Sequence, residues 1–462
     1  MQRKTNKTKK MLYRLILGNF ASFAEQIQFD MFPNIKRENF IHHVYNDEQG
    51  LPVLKGCALY GANGSGKSNF IYGLQFVKRF ATNFNLNGNP EWIVSFFKAN
   101  RFKLPIMEDM PMSFLLEFGN EQGAYIYTFE ITDEGISEET LYKSGLGKVE
   151  SALIFQRNGN ILNADTKIFT PEINKVIERQ LGSNPSQSVL SIVGRLHLTD
   201  NIYVNDAFDW IANKLEIIEV GHQIPWLIDQ LSHQNEMMNF VKEVFSTVGL
   251  GIQDLSIKNE SFDDWLKHAD AEDKQTITQF LESISKNPGD KNFSKMNRQF
   301  PLLTVTEEDG IRTVKELLFH QLGKNGYIGT MECGTQSTGT LRLLTLVPAI
   351  YYAIYRHKTI VVDEIDNSIH PILIKELIKL FENSDSNGQL IFTTHETALL
   401  NQQELLRPDE VWMIEKKWGV SNMYSLNDFK IHKTLSLENG YLDGRFGAIP
   451  FLGSVDILQN ED

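Results

Sequence analysis

Between Leu59 and Phe70 the sequence reads "LYGANGSGKSNF", in which Gly61, Gly66, Lys67 and Ser68 fit the spacing G-x-x-x-x-G-K-[ST]. Glycines at this spacing let successive backbone N–H groups converge on phosphate oxygens, and the helix that follows adds its dipole. The loop therefore predicts a nucleoside triphosphate site made by Gly61, Ala62, Asn63, Gly64, Ser65, Gly66, Lys67, Ser68 and Asn69. Lys67 would reach the β- and γ-phosphates, and the Ser68 hydroxyl would hold Mg²⁺.

Two later stretches supply complementary groups. "HKTIVVDEIDNSIHP" (357–371) sets Asp363 and Glu364 at the end of the β-branched run Thr359–Val362. A continuous apolar strand ending in carboxylates is what a buried parallel strand presents at its C-terminal edge, where α/β proteins hold ligands. Asp363 fits the Walker B role, holding Mg²⁺ through water, and Glu364 is expected to polarise the attacking water. "GQLIFTTHETALL" (388–400) repeats the pattern with the strand Leu390–Thr393 and then His395, which suits a switch histidine at the γ-phosphate. A second glycine loop, "ECGTQSTGTLR" (332–342), opens the apolar run "TLRLLTLVPAIYYAIY".

P-loop, Walker B and histidine in this order resemble the ABC-type ATPases of the SMC/RecF kind. The resemblance implies ATP and Mg²⁺, and it gives the second glycine loop a role. Ser337, Gly339 and Thr340 match the family's Ser-x-Gly-small signature, with Thr338 between them. In that family the signature acts on the partner subunit's nucleotide, so the resemblance implies two copies sandwiching two ATPs. "LILGNFASF" is similar to the first strand and Asn-Phe turn of those heads. "DEIDNSIHP", "TTHETALL" and the tail from Tyr441 to Pro450 resemble the stand-alone AAA-type ATPases of phage defence, in particular the ATPase subunit of the PARIS system. That resemblance covers residues 11–130 and 300–455 and implies a separate effector, a TOPRIM-type nuclease, and a phage-derived trigger. Two departures stand out: Gln336 precedes the signature where the group often has Glu, and neither Gln75 nor Gln156 has the context of a Q-loop glutamine.

These groups need an α/β scaffold to position them: an ABC-ATPase head with a P-loop mixed sheet, an antiparallel N-terminal lobe and a helical insertion. The expected division is an N-terminal lobe over 1–200 with Walker A, the insertion over 201–300, and a C-terminal lobe over 301–462 with signature, Walker B and switch histidine. "MLYRLILGNF" reads as a buried strand rather than a signal peptide, because Arg14 and Asn19 interrupt the apolar run. Alternation over 112–145 and 153–162 predicts antiparallel hairpins. Helical stripes over 225–249 (Leu227, Ile228, Leu231, Met238, Val241, Phe245) and 263–286 (Trp265, Leu266, Ile277, Phe280, Leu281, Ile284) are too short for a coiled-coil arm.

Composition bounds the function. The 462 residues carry a formal net charge of −13, which disfavours a broad nucleic-acid surface, although basic residues gather at Arg3, Lys4, Lys7, Lys9 and Lys10. DNA clamping of the RecF kind is therefore the alternative rather than the leading reading. A self-contained nuclease of the OLD type is not expected, since too few residues follow His395 for a fused TOPRIM domain. No stretch reaches the length of a membrane span. Cys57 and Cys333 make no disulfide framework, and a cytoplasmic location is expected.

Overall fold

A computed structural model describes residues 10–46, 51–83, 89–104, 110–220, 227–269, 271, 274–275, 292–297, 300–308, 311–432 and 434–449. The chain divides into two compact units. The first takes residues 1–217, 352–366 and 378–462; the second takes 218–351 and 367–377.

The first unit is α/β, as the motifs predict. Its six-stranded sheet runs in the order Leu215–Ile218, Thr359–Val362, Gln389–Thr393, Gly56–Tyr60, Val411–Lys417, Val420–Ser425. The strand Gly56–Tyr60 pairs in parallel with Gln389–Thr393 on one side and with Val411–Lys417 on the other. Every residue of Gly56–Tyr60, Thr359–Val362 and Gln389–Thr393 is buried, which is why these segments read as continuous apolar runs rather than alternating ones. An antiparallel sheet of seven strands carries Met11–Gly18 next to Met112–Asn120, followed by Gly123–Thr132, Gly135–Lys143, Ala152–Asn158 and Ile161–Ala164. The segment 112–145 thus makes three strands rather than one hairpin, since a second turn follows Thr132.

The helix Lys67–Thr82 buries Phe70, Ile71, Leu74, Val77 and Ala81 at helical spacing in a core that also takes Leu12, Leu15 and Leu17 of the antiparallel sheet and Val361, Ile391 and Ile414 of the parallel one. Gly73 lets this helix lie close to the first strand, because a Cβ there would stand 2.6 Å from a Leu17 methyl. Gln389, with no exposed surface, ties the two sheets by hydrogen bonds. Its amide donates to Leu12 O (3.0 Å) and Leu54 O (3.2 Å), and its carbonyl accepts from Leu12 N (2.6 Å) and the Thr359 hydroxyl (3.0 Å).

The second unit holds an antiparallel sheet in the order Ile252–Ser261, Ile311–Leu322, Phe300–Glu308, Asn292–Asn297, with Ile328–Glu332 also on Ile311–Leu322. The segment expected as a helical insertion therefore also contributes the ten-residue strand Ile252–Ser261. A bulge between Ile252 and Asp254 breaks the alternation, so Ile252 stands three residues rather than two before Leu255 and the period-2 pattern is lost. The stripe over 225–249 is helical but broken at Gln234 (φ −113°, ψ 83°) into Leu227–His233 and Asn235–Thr247. The break shifts the helical phase, so Met237 rather than Met238 is fully buried. The second stripe is helical over Phe262–His268, where Trp265 packs with Val305 and Val314. Ile277, Phe280, Leu281 and Ile284 lie outside the described residues, as do Arg3, Lys4, Lys7, Lys9 and Pro450.

Replacing Gln389 with Leu leaves the Leu12 and Leu54 backbone groups buried and unpaired. The expected cost is about 2–4 kcal/mol, at about 1–3 kcal/mol per orphaned group with partial relaxation. Urea unfolding should show a lower midpoint at unchanged slope.

Candidate nucleotide site

All the polar groups singled out in the first unit meet at the C-terminal edge of the parallel sheet. The P-loop leaves the strand at Tyr60 and enters its helix at Gly66, which adopts φ +117° as the N-cap. Two glycines in the loop are fixed by neighbours. A Cβ on Gly61 would stand 2.3 Å from Ile414 O, and one on Gly66 would stand 2.8 Å from the hydroxyls of both Ser22 and Ser421. Ser22 and Ser421 in turn brace the loop: Ser421 N donates to Ser22 O (2.8 Å), and the Ser421 hydroxyl donates to Ser65 O (2.5 Å). Asn69 donates its side-chain amide to the Ser22 hydroxyl (2.8 Å), so it supports the loop from the helix side.

Lys67 is buried and folds back over the loop, donating to Gly61 O (2.7 Å) and Ala62 O (3.2 Å), with His395 Nδ1 at 3.5 Å. Burial pulls its ammonium down to about 8, against the carboxylates of Glu364, Asp363 and Asp366, which act the other way. His395 lies on the rim. Its imidazole is pushed below the usual histidine range by desolvation first and by the Lys67 charge second, with Asp366, Glu364 and Asp363 opposing. The backbone N–H of His395 donates to Asp366 Oδ2 (3.1 Å).

Thr393 organises the carboxylates. Its hydroxyl donates to Asp363 Oδ1 (2.6 Å) and accepts from Glu364 N (2.7 Å). Asp363 is buried, and Glu364, half-buried, adopts the left-handed region at φ +47°. Thr393 thus holds the Asp363 carboxylate and the Glu364 backbone from the neighbouring strand. Ser68 is exposed at the first turn of the helix. A hydroxyl and a carboxylate are the hard oxygen donors that suit Mg²⁺, so Ser68 and Asp363 fit the ion expected there. When bound, Mg²⁺ neutralises charge on phosphate oxygens.

A cavity of about 1160 Å³ opens beside the loop, lined on one side by Gly61–Ser65 and His395 and on the other by Glu415–Lys417, Tyr441 and Ile449. The tail thus forms a wall of the site. It is pinned by Thr397 donating to Glu438 (3.0 Å), Tyr424 to Phe446 O (2.7 Å) and Tyr441 to Ala448 O (3.1 Å).

Ser337, Thr338, Gly339 and Thr340 belong to the second unit and open the helix Thr338–Tyr355. The Ser337 hydroxyl accepts from Thr340 N (3.2 Å) and bonds the Thr340 hydroxyl (2.8 Å), while Ser337 and Thr338 are exposed. Gly339 is needed because a Cβ would stand 2.6 Å from Ser368 O. Of the two glutamines weighed for a Q-loop, Gln156 bonds Glu138 within the antiparallel sheet (2.9 Å). Sequence reading missed Thr393, Asp366, Ser22 and Ser421. The repeated acid of "DEID" and the paired threonine of "TTHE" are the signals for the first two; Ser22 and Ser421 carry none.

A family model described as "AAA domain, putative AbiEii toxin, Type IV TA system" matches residues 57–181 and 248–401. The chain belongs to this family. The AAA-domain assignment makes it one of a family of nucleotide-hydrolysing ATPases that bind nucleotide, usually with Mg²⁺. No curated protein matches it. Among solved structures it is similar to an SMC head bound to the C-winged helix domain of ScpA (15% identity, 93% of this chain and 99% of that one, TM-score 0.43). It is also similar to the SMC head domain from Thermotoga maritima (13%, 90% and 98%, TM-score 0.39). A third is an Smc head with an extended coiled coil bound to the C-terminal domain of ScpA derived from Pyrococcus furiosus (14%, 94% and 99%, TM-score 0.40). Among the described residues no helix is long and apolar enough to cross a membrane.

Thr393→Val keeps the volume of the side chain and removes the link between Asp363 and Glu364. A hydrogen bond to a charged group contributes about 1.5–3 kcal/mol, so ATP turnover should fall about 10- to 100-fold. ATP affinity by calorimetry should hold within about threefold, because the P-loop is untouched.

Proposed function

We propose that this AAA-domain protein is an ABC-type ATPase that binds ATP with Mg²⁺, assembles by sandwiching nucleotide between two copies, and serves anti-phage defence by holding a separate effector. The observation that carries the enzymatic part is the Thr393 bridge beside Lys67, which holds both the Asp363 carboxylate and the Glu364 backbone N–H. On this reading Lys67 leaves the carbonyls of Gly61 and Ala62 for the β- and γ-phosphates. Ser68 and Asp363 hold Mg²⁺. Glu364 accepts the proton of the attacking water, and His395 contacts the γ-phosphate from the rim.

The exposed hydroxyls of Ser337 and Thr338, at the start of an 18-residue helix, support the signature role in trans, with Gly339 and Thr340 completing the loop. The defence role is supported by the family description, which names a putative AbiEii toxin, and by the resemblance of the tail from Tyr441 to Pro450 to that of phage-defence ATPases. The TOPRIM-type nuclease as effector, a phage-derived trigger and a cytoplasmic location rest on the resemblance to PARIS ATPases. A RecF- or SMC-like DNA clamp is the second reading; the net charge of −13 weighs against it, since clamping needs several phosphate-neutralising cations.

Glu364→Gln protein should bind ATP, hydrolyse it at least about 100-fold more slowly, and elute with ATP as a dimer or larger species. Lys67→Ala should lose both binding and the shift in elution. An elution volume that ignores ATP in the Glu364→Gln protein overturns the sandwich. If the assembled species, isolated from its host, carries only nucleic acid that leaves at moderate salt, the clamp replaces the defence reading; a stoichiometric nuclease supports it.

A further inference from the structure

At the opposite end of the parallel sheet from the P-loop, three buried side chains converge with no part in the nucleotide chemistry. His43 comes from the turn Ile41–His43, Glu382 from the end of the helix Pro371–Glu382, and Glu410 from the turn Pro408–Glu410 that leads into the strand Val411–Lys417. Their exposures are 3%, 2% and 0%. His43 Nδ1 stands 2.9 Å from Glu410 Oε1 and 3.8 Å from Glu382 Oε2, and one donor atom from each residue lies within 4.8 Å of the others.

The protein does not satisfy this cluster by itself. A single imidazole nitrogen faces two carboxylates, and one N–H serves one of them. Glu410 is provided for, since its Oε2 also accepts from Arg407 N (2.7 Å). Glu382 Oε2 is buried without a hydrogen-bond partner. The nearby cations act on these carboxyls through their charge, but their hydrogen bonds go elsewhere. Lys55 donates to the backbone carbonyls of Glu382 (3.3 Å) and Ser384 (2.8 Å), and Arg407 clamps Asp409 and the carbonyls of Asn39 and Asn34. A buried carboxyl oxygen without a hydrogen-bond partner calls for a missing one.

The position of Glu382 is nonetheless built. A Cβ on Gly56 would stand 1.9 Å from Glu382 Oε1, so the glycine opening the P-loop strand is what admits the carboxyl. His43 is oriented too: its ring stacks on Phe40 (4.9 Å, 14°), and its carbonyl accepts from Lys55 N (2.9 Å).

We propose that His43, Glu382 and Glu410 hold a structural divalent transition metal, with zinc as the ion their donor set fits best. One imidazole nitrogen and two carboxylate oxygens form a three-ligand zinc set, leaving a fourth position for water. Bonds of about 2.0–2.2 Å in a tetrahedron put donors about 3.3–3.5 Å apart, between the 2.9 and 3.8 Å seen here. The ion pins three segments distant in sequence behind the strand that carries the P-loop. It is separate from the Mg²⁺ site of Ser68 and Asp363, and the inference does not rest on the nucleotide reading.

The test uses full-length protein without a polyhistidine tag, purified without chelator. Elemental mass spectrometry should find about one zinc per chain. EDTA should lower the melting temperature, and added ZnCl₂ should restore it. Glu382→Gln and His43→Gln should each lose the metal and the EDTA response, whereas Ser68→Ala should keep both. Should the variants fail to fold, Co²⁺ substituted into wild-type protein gives the second readout: visible absorption bands of a tetrahedral N/O site support the proposal. Metal-free wild-type protein whose melting ignores both EDTA and ZnCl₂ overturns it. So does zinc retained in full by folded Glu382→Gln and His43→Gln.

Discussion

The parallel pairing of Gly56–Tyr60 is the constraint from which the rest of the first unit follows. Its register sets Thr393 beside Leu59, and Val362 lies beside Phe392 in turn, so the strands Gly56–Tyr60, Gln389–Thr393 and Thr359–Val362 end at nearly the same level. Parallel strands cannot be joined by tight turns, and the chain must leave the sheet between them. The segments that follow those strand ends are the P-loop, the loop bearing His395 and, one strand further out, the loop bearing Asp363 and Glu364. Residues separated by hundreds of positions become neighbours because the sheet forces their exits to one edge.

That edge gathers charge in a partly dry setting. Lys67, Asp363, Asp366 and Glu364 influence one another, and burial works against the lysine's ammonium. The arrangement holds because each group has a local anchor. Lys67 has two loop carbonyls, Asp363 has the Thr393 hydroxyl, and Asp366 has the His395 amide. These are anchors a phosphate chain can replace: the carbonyls give Lys67 a resting place from which negative oxygens would draw it.

The sequence carried the site unevenly, and the reasons are physical. Gly61, Gly66, Lys67 and Ser68 were legible because phosphate binding dictates residue types at fixed spacing within one loop. The three buried strands were legible because burial on both faces leaves continuous apolar runs. Ser22 and Ser421 were not, since a serine that braces a loop from across the fold looks like any other serine. The strand Ile252–Ser261 was hidden because a bulge after Ile252 breaks its alternation, and the break at Gln234 because no proline or glycine marks it. The two units interleave in sequence, and no composition change announces that.

The ends of the described chain both serve the P-loop, which has a consequence for how the site is built. Ser22 follows the first strand and Ser421 follows the last parallel one, yet they touch each other and both crowd Gly66. Gln389 joins Leu12 to the parallel sheet from the far end of the same layer. The loop therefore reaches its shape only after the antiparallel strand Met11–Gly18 and the hairpin 411–425 have docked on either side of it. Local sequence writes the P-loop, but contacts of very long range close it. A fragment carrying the motif alone would possess the residues and lack the loop's conformation, because Ile414 at Gly61 and Ser22 and Ser421 at Gly66, which crowd these glycines beside the loop's own Ser65, come from elsewhere in the chain.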